Sequence, residues 1–383
     1  MSISDTLSGF LSLPGNPART RVVAAMSGGV DSAVAAGLVK RAGYDVVGVT
    51  LQLYASENQP KKRGSCCAGQ DIYDAKAAAE RLGIPHYVLD YTERFRKSVI
   101  EDFASTYARG ETPIPCVRCN ETVKFRDLLH AAQDMGAAAL VTGHYVQRVE
   151  SMGRAQILRA HDAKRDQSYF LFATTASQLE YLRFPLGGLT KSETRALAFE
   201  FGLDLADKPD SQDICFVPSG RYSDFVQKLR PDAVEPGEIV DIGGRVLGVH
   251  EGVINFTVGQ RKGLGLGHHD SLFVLRIDAQ ARRVVVGPRE ALATRRIWLR
   301  DLNWLDDVPL GPNPRSVLAR VRSTREPVRA EICATSSASA MVTLLTNEEG
   351  VAPGQACVLY DAGDERRMLG GGWIVKGEAA NAV

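Results

Sequence analysis

An excess of charge of one sign, long apolar runs and a paired cysteine framework are all missing from this 383-residue sequence. Lysine plus arginine (46) and aspartate plus glutamate (45) nearly cancel, leaving +1, so any nucleic-acid site must be a local patch. No apolar run approaches the roughly 18 residues of a membrane helix, and the first 20 residues lack the basic start and apolar stretch of a secretory signal. The seven cysteines, at 66, 67, 116, 119, 215, 333 and 357, are odd in number and widely spread, which excludes a small secreted disulfide scaffold. The expected compartment is the cytoplasm, with no membrane partner and with thiols kept reduced. Internal repeats are also missing. What remains is an ordinary globular composition, 44% hydrophobic and 24% charged, at a length that favours two or three domains.

Met1 to Thr20 has no apolar periodicity and reads as a mobile tail. From Arg21, short β-rich runs (RVVAA, DVVGVTLQLY, HYVLDY, AAALV) alternate with helical patterns after Asp31 and over Asp71–Leu82, Glu93–Ala108 and Glu121–Met135. Such alternation predicts an α/β domain with a doubly wound parallel sheet. Thr190 and Glu193 form a capping box for a helix that Gly202 ends. After about Pro231 short strands and glycine turns take over, with Gly243-Gly244 placed for a hairpin; SLFVLRID with RRVVVG, and then SVLARVRS, MVTLLTN and ACVLYD, predict a small central β domain and a C-terminal β-barrel. The expected boundaries are 21–230, 231–290 and 291–383.

Chemistry concentrates in two places. RVVAA runs into Met26-Ser27-Gly28-Gly29-Val30-Asp31-Ser32 and then a helix, an arrangement in which glycine amides, serine hydroxyls and a helix N-terminus converge on an anion. Asp31 is placed to hold magnesium beside phosphates. The Walker lysine is missing, so the loop suits pyrophosphate as a leaving group. A plain glycine turn, or a nucleotide sensor without chemistry, would carry the same residues. In the second place, Cys116 and Cys119 stand two residues apart before a helix for which Asn120 is the expected N-cap; helix dipole and Arg118 would then lower the Cys119 pKa. Cys215 lies far off, before another helix. Zinc on Cys66, Cys67, Cys116 and Cys119, or an iron–sulfur cluster on Cys116, Cys119 and Cys215, are alternatives to a reactive thiol pair. Cys333 and Cys357, inside strand-like runs, read as small buried hydrophobes.

SGGVDS resembles the signature of the PP-loop ATP pyrophosphatase group. Together with CVRCN, DICF, ThrGlyHisTyr (142–145), LysArgAspGlnSerTyrPheLeu (164–171), GlyGlnArgLysGlyLeuGly (259–265), ValAlaProGlyGlnAla near 351 and LeuGlyGlyGly at 369, it makes the chain from residue 21 onward resemble the bacterial tRNA-specific 2-thiouridylase family. The resemblance implies a PP-loop ATP pyrophosphatase domain, ATP and Mg2+ as cofactors, tRNA with a wobble uridine as partner, and a persulfide sulfur-donor protein. It implies that Ala25, Met26, Ser27, Gly28, Gly29, Val30, Asp31, Ser32, Leu51 and Gly143 form the ATP site, with Cys119 the nucleophile and Cys215 the persulfide carrier. It also implies tRNA contacts at Ile114, Pro115 and Cys116 and at Arg165, Asp166 and Gln167. Two positions depart from the pattern: Leu51 stands where some members have methionine, and Cys116 where some have an aspartate. Arg315, Arg320, Arg322, Arg325 and Arg329, opposed only by Glu326, add a basic run in the barrel region, from which Arg322 and Arg325 are the expected phosphate contacts. Direct persulfide attack and release of free sulfide both remain open, as do two rival readings: a PP-loop ligase for a small carboxylate, and a nucleotide-binding regulator.

Overall fold

The computed structural model describes residues 11, 13–54, 69–205, 208, 214–217, 222–267 and 272–379. It divides into two compact units, one of residues 1–98, 116–219 and 366–368, the other of 99–115, 220–365 and 369–383.

In the first unit β1 (Arg21–Ala25), β2 (Asp45–Gln52), β3 (His86–Asp90) and β4 (Ala139–Val141) form a parallel sheet with a two-residue edge strand. A hairpin, β5 (Val146–Ser151) and β6 (Arg154–Arg159), stands apart, and the edge strand is β7 (Leu182–Arg183). The order β3-β2-β1-β4-β7 puts β1 at the centre, paired in parallel with β2 and with β4 on its other side. The chain thus leaves β1 toward one neighbour and later returns on the other, which opens a crevice at the carboxyl end of β1, where such sheets bind ligands. Val22 and Ala24, without exposed surface, pack with Val34, Leu38, Val39 and Leu197 of the covering helices. Each such valine or leucine side chain contributes roughly 1.5–3 kcal/mol by burial.

Two expectations need correction here. Of the expected tail Met1 to Thr20, residues 1–10 and 12 lie outside the described residues, while Leu11 and residues 13–20 are held in place. Leu11 has no exposed surface, the buried guanidinium of Arg183 donates to its carbonyl, and Asn16 caps the short turn Pro17–Arg19. An apolar residue that fills the core outweighs the polar context around it. Second, the helix after Thr112-Pro113 begins at Pro115, not after Asn120. Pro115–Arg118 leads without a break into the wider π-turns of Cys119–Leu128 and then Leu129–Asp134. Proline at the first helical position, where its missing N–H costs nothing, sets that start.

In the second unit β8 (Gly237–Val240) and β9 (Val246–His250) form the expected hairpin, with Gly244 at φ 84° in the turn. They join β10 (Phe273–Asp278) and β11 (Arg283–Gly287) in the order β10-β11-β8-β9. The last strands, β12 (Ala293–Trp304), β13 (Arg315–Arg320), β14 (Val328–Ser336), β15 (Ser339–Glu349), β16 (Ala356–Asp361) and β17 (Met368–Ala379), close into a barrel in the order β12-β15-β14-β13-β16-β17. Ile297, Val317, Ile332, Val342, Leu344, Cys357 and Ile374 form its core. No helix among the described residues is long and apolar enough to cross a membrane.

Candidate active site

The loop Met26–Gly29 leaves the end of β1 in the crevice. Its shape rests on backbone bonds that the side chains enforce. Met26 N donates to Val49 O (2.8 Å), and Thr50 Oγ1 donates to Met26 O (2.7 Å) while accepting from His86 Nε2 (2.7 Å). His86 therefore carries its proton on Nε2, and desolvation and the charge of Lys76 keep its pKa low. Gly28 has φ 74°, and a Cβ there would lie 2.2 Å from the carbonyl oxygen of Asp71, so only glycine fits. Ser32 Oγ accepts from Ser27 N (3.0 Å) and donates to Gly29 O (3.0 Å). The helix Val30–Arg41 that follows has Gly29 at its N-cap and no side-chain cap, so its first amides are directed at the crevice mouth. Gly143, just beyond β4, is equally constrained: a Cβ would come within 2.8 Å of the Asp31 and Ser32 backbone. Ala25 and the buried Leu51 close β1 and β2 beside the loop.

Asp31 is held from two sides. Both carboxylate oxygens accept from Lys191 Nζ (2.7 and 2.8 Å), and Oδ1 also accepts from Tyr145 Oη (2.8 Å), which lies 2.9 Å from Thr194 Oγ1. Lys191 opens the helix Lys191–Glu200, where the expected Thr190/Glu193 capping box is present. Across the loop Lys208 Nζ donates to Gly28 O (2.9 Å), Asp71 (2.7 Å) and Asp74 (2.6 Å). Burial lowers the Lys208 pKa, but its bonds to the two carboxylates outweigh this and raise it overall. Beside Gly143, His144 bonds Thr142 Oγ1 through Nδ1 (2.8 Å) and packs edge-on to Phe125 and Phe184. Desolvation, with Lys124 adding to it, pushes its pKa well below the usual histidine value.

With the helix starting at Pro115, Cys119 lies one turn inside it and is buried, while Cys116 is exposed. Asn120 caps nothing: its side chain bonds Phe170 O (3.2 Å) and Lys124 Nζ (3.0 Å). Arg118 pairs with Glu121 (2.9 Å). Cys215 Sγ is 2.9 Å from Tyr54 Oη, and a chain of edge-on rings, Tyr54 to Phe95 to Phe216, packs beside it. Among the described residues no three His, Cys, Asp or Glu side chains converge as a metal site, so Cys116, Cys119 and Cys215 do not form one here; Cys66 and Cys67 lie outside the described residues.

Three family models match the chain in sequence order: a tRNA methyl transferase HUP domain at 20–219, a tRNA methyl transferase PRC-barrel domain at 223–288, and an aminomethyltransferase beta-barrel domain at 294–374. The tRNA-specific 2-thiouridylase MnmA of Parvibaculum lavamentivorans is 60% identical over 376 residues, covering 96% of this chain and 94% of that one. The MnmA of Methylobacterium nodulans is 61% identical over 374 residues, covering 97% and 98%. The chain belongs to the tRNA-specific 2-thiouridylase family. Among solved structures, the NMN synthetase from Francisella tularensis overlaps 60% of this chain and 85% of that one at 20% identity, with a TM-score of 0.36, a likeness too remote to bear on function.

The residues expected to touch tRNA in this 2-thiouridylase family member differ in exposure and in the partners they hold within the chain. Ile114 and Pro115 are buried, leaving Cys116 exposed. The Asp166 side chain has no exposed surface; it accepts from Ala160 N, Ser168 N and Ser168 Oγ and pairs with Arg159. Gln167 braces Tyr145 through Oε1 to Tyr145 N (2.9 Å), which in turn sets the Tyr145 hydroxyl on Asp31. Arg165 is half-exposed. Arg322 is pinned by its guanidinium to Gly350 O, whereas Arg325 is exposed. Lys191 and Lys208 escape a reading of the sequence alone, because each meets the loop from a segment about 160 to 180 residues away. Tyr145 ends a motif that the family resemblance singles out, the one signal that points to it.

Proposed function

We propose that the chain is an ATP-dependent tRNA-uridine 2-sulfurtransferase that converts the wobble uridine of tRNA to 2-thiouridine, releasing AMP and pyrophosphate. The observation that carries this is identity of 60% over nearly the full length of relatives bearing that activity's name. The loop geometry supports it, since an uncapped helix start behind a left-handed glycine offers amides to a departing pyrophosphate. The domain reading is 21–230 for catalysis, 231–290 for a central β module and 291–383 for a barrel that holds tRNA, working in the cytoplasm.

A uridine carbonyl oxygen leaves poorly, so it is first made part of a better leaving group. Residues 25–32, Leu51 and Gly143 hold the nucleotide while the carbonyl oxygen attacks its α-phosphorus and the bond to pyrophosphate breaks. The donor set fits magnesium: Asp31 offers a hard carboxylate whose side chain is 29% exposed, and one protein carboxylate plus substrate phosphates is the usual pattern for this ion. Bound there, it would offset charge on the phosphates. The terminal sulfur of a Cys215 persulfide then attacks the adenylated carbon and AMP leaves. Cys119 thiolate attacks the Cys215 sulfur, which forms a Cys119–Cys215 disulfide and frees the thiolated base. An external thiol reductant reduces the disulfide by thiol–disulfide exchange, itself becoming oxidised, and a donor protein then recharges Cys215 with a persulfide sulfur. The base reaches these groups from a single-stranded loop.

Incubation of the protein with ATP and tRNA should give AMP, pyrophosphate and, with a persulfide donor, 2-thiouridine. ADP and inorganic phosphate as products would overturn the reading.

A further inference from the structure

Between Ser27 and Ser32 the loop contains no lysine, so a cation for the terminal phosphates has to come from elsewhere in the chain. Among the described residues the fold brings two ammonium groups to it. Lys208 is shared among Gly28 O and two carboxylates, Asp71 and Asp74. Lys191 is arranged differently: its ammonium meets both oxygens of a single carboxylate, Asp31. The lysine side chain is 10% exposed and that of Asp31 29%, so the ammonium lies behind the carboxylate, next to the uncapped start of the helix Val30–Arg41. Its backbone is fixed, since Thr190 and Glu193 cap the helix it opens and Asp162 accepts from its N–H (3.2 Å). Tyr145 holds Asp31 Oδ1 independently of the lysine.

We propose that Lys191 binds the pyrophosphate half of the nucleotide, exchanging Asp31 for phosphate oxygens when a divalent cation takes the carboxylate. This rests on the reading of the loop as an ATP site and deepens it. A nearly buried ammonium cannot give up its carboxylate unless another anion replaces it. The exchange meets that condition: Asp31 passes from one cation to another and Lys191 from one anion to another. The flexible stem of lysine lets Nζ swing while the capped helix stays still. As the bond between the α- and β-phosphates breaks, negative charge gathers on the departing pyrophosphate, and an ammonium beside it favours that state. Lys191 thus takes the part that a Walker lysine plays in other nucleotide loops, but from a helix remote in sequence.

Calorimetric titration of the full-length protein, without tRNA and with magnesium present, tests this with three probes: ATP, inorganic pyrophosphate and AMP. In Lys191→Gln, affinity for ATP and pyrophosphate should fall tenfold or more, with AMP affinity within twofold of the unmodified protein. Lys191→Arg, which keeps the cation, should recover most of the ATP affinity. Equal losses for ATP and AMP, or no loss for either, would reduce Lys191 to a structural partner of Asp31 and overturn the proposal. Lys191→Met, which preserves the apolar stem, repeats the comparison if the glutamine variant does not fold. Failure of the unmodified protein to bind ATP would instead sink the ATP-site reading itself.

Discussion

Single side chains near the loop are tuned by their neighbours, and His144 is the clearest case. Desolvation and Lys124 depress its pKa, so the folded protein holds it neutral while the unfolded chain protonates it near pH 6.5. Its contribution to stability is complete above about pH 6.5 and is lost as pH falls toward the lower folded value. Melting temperature should therefore drop between pH 7 and pH 5, and His144→Gln should flatten that drop; an identical profile in the variant would exclude the histidine as the cause. The cysteines differ just as sharply. Complete burial pushes the Cys357 thiol up to about 12, which leaves it a packing residue. The proposed carrier and resolver make distinct predictions. Cys215→Ser should accept no persulfide, Cys119→Ser should still accept one, and neither should thiolate tRNA. Peptide mapping after loading with labelled sulfur checks this, and label on Cys119 with none on Cys215 would reverse the roles.

At the scale of elements, the loop between β1 and its helix depends on close backbone approach. Gly28→Ala places a methyl group 2.2 Å from Asp71 O in a left-handed conformation that itself costs about 1–2 kcal/mol. The loop has to rearrange, so ATP affinity should fall at least tenfold, while the sheet, whose core does not include this residue, should keep its circular dichroism spectrum. Unchanged affinity would show that the loop does not cradle the nucleotide. The helix from Pro115 matters in the same way. By beginning a turn early it places Cys116 at the surface and Cys119 inside, and the π-turns that start at Cys119 widen the helix where the proposed nucleophile sits. Wide turns of this kind often mark functional positions.

For the molecule as a whole, near-neutral charge means that tRNA affinity has to come from local basic groups, and it should fall steeply with salt. Arg325 and Arg322 separate the two uses of arginine in the barrel. Arg325→Ala should weaken tRNA binding and reduce the salt slope by about one, without altering stability or ATP binding. Arg322→Ala should instead lower stability by about 1.5–3 kcal/mol, because a charged donor to Gly350 O is lost. Filter binding across a salt series and denaturant titration together check the pair. A salt-independent affinity would point to a small-molecule substrate.

The elements were legible from local pattern because alternating apolar runs, the Thr190/Glu193 cap and the Gly243-Gly244 turn act through neighbours in the chain. The shape of the loop Met26–Gly29 was legible for the same reason, since glycines, serines and a helix start are contiguous there. Pro115 also carried its signal in sequence, but Asn120 offered a competing cap, and the choice fell to packing: Asn120 is buried against Phe170. What only tertiary structure decided is which charges meet. Lys191 reaches Asp31, Lys208 reaches Gly28, and Arg322 turns inward to Gly350, because sheet order and barrel closure bring together segments that share no local period. Local geometry is written residue by residue, whereas the partner of a buried charge depends on every crossover between the two.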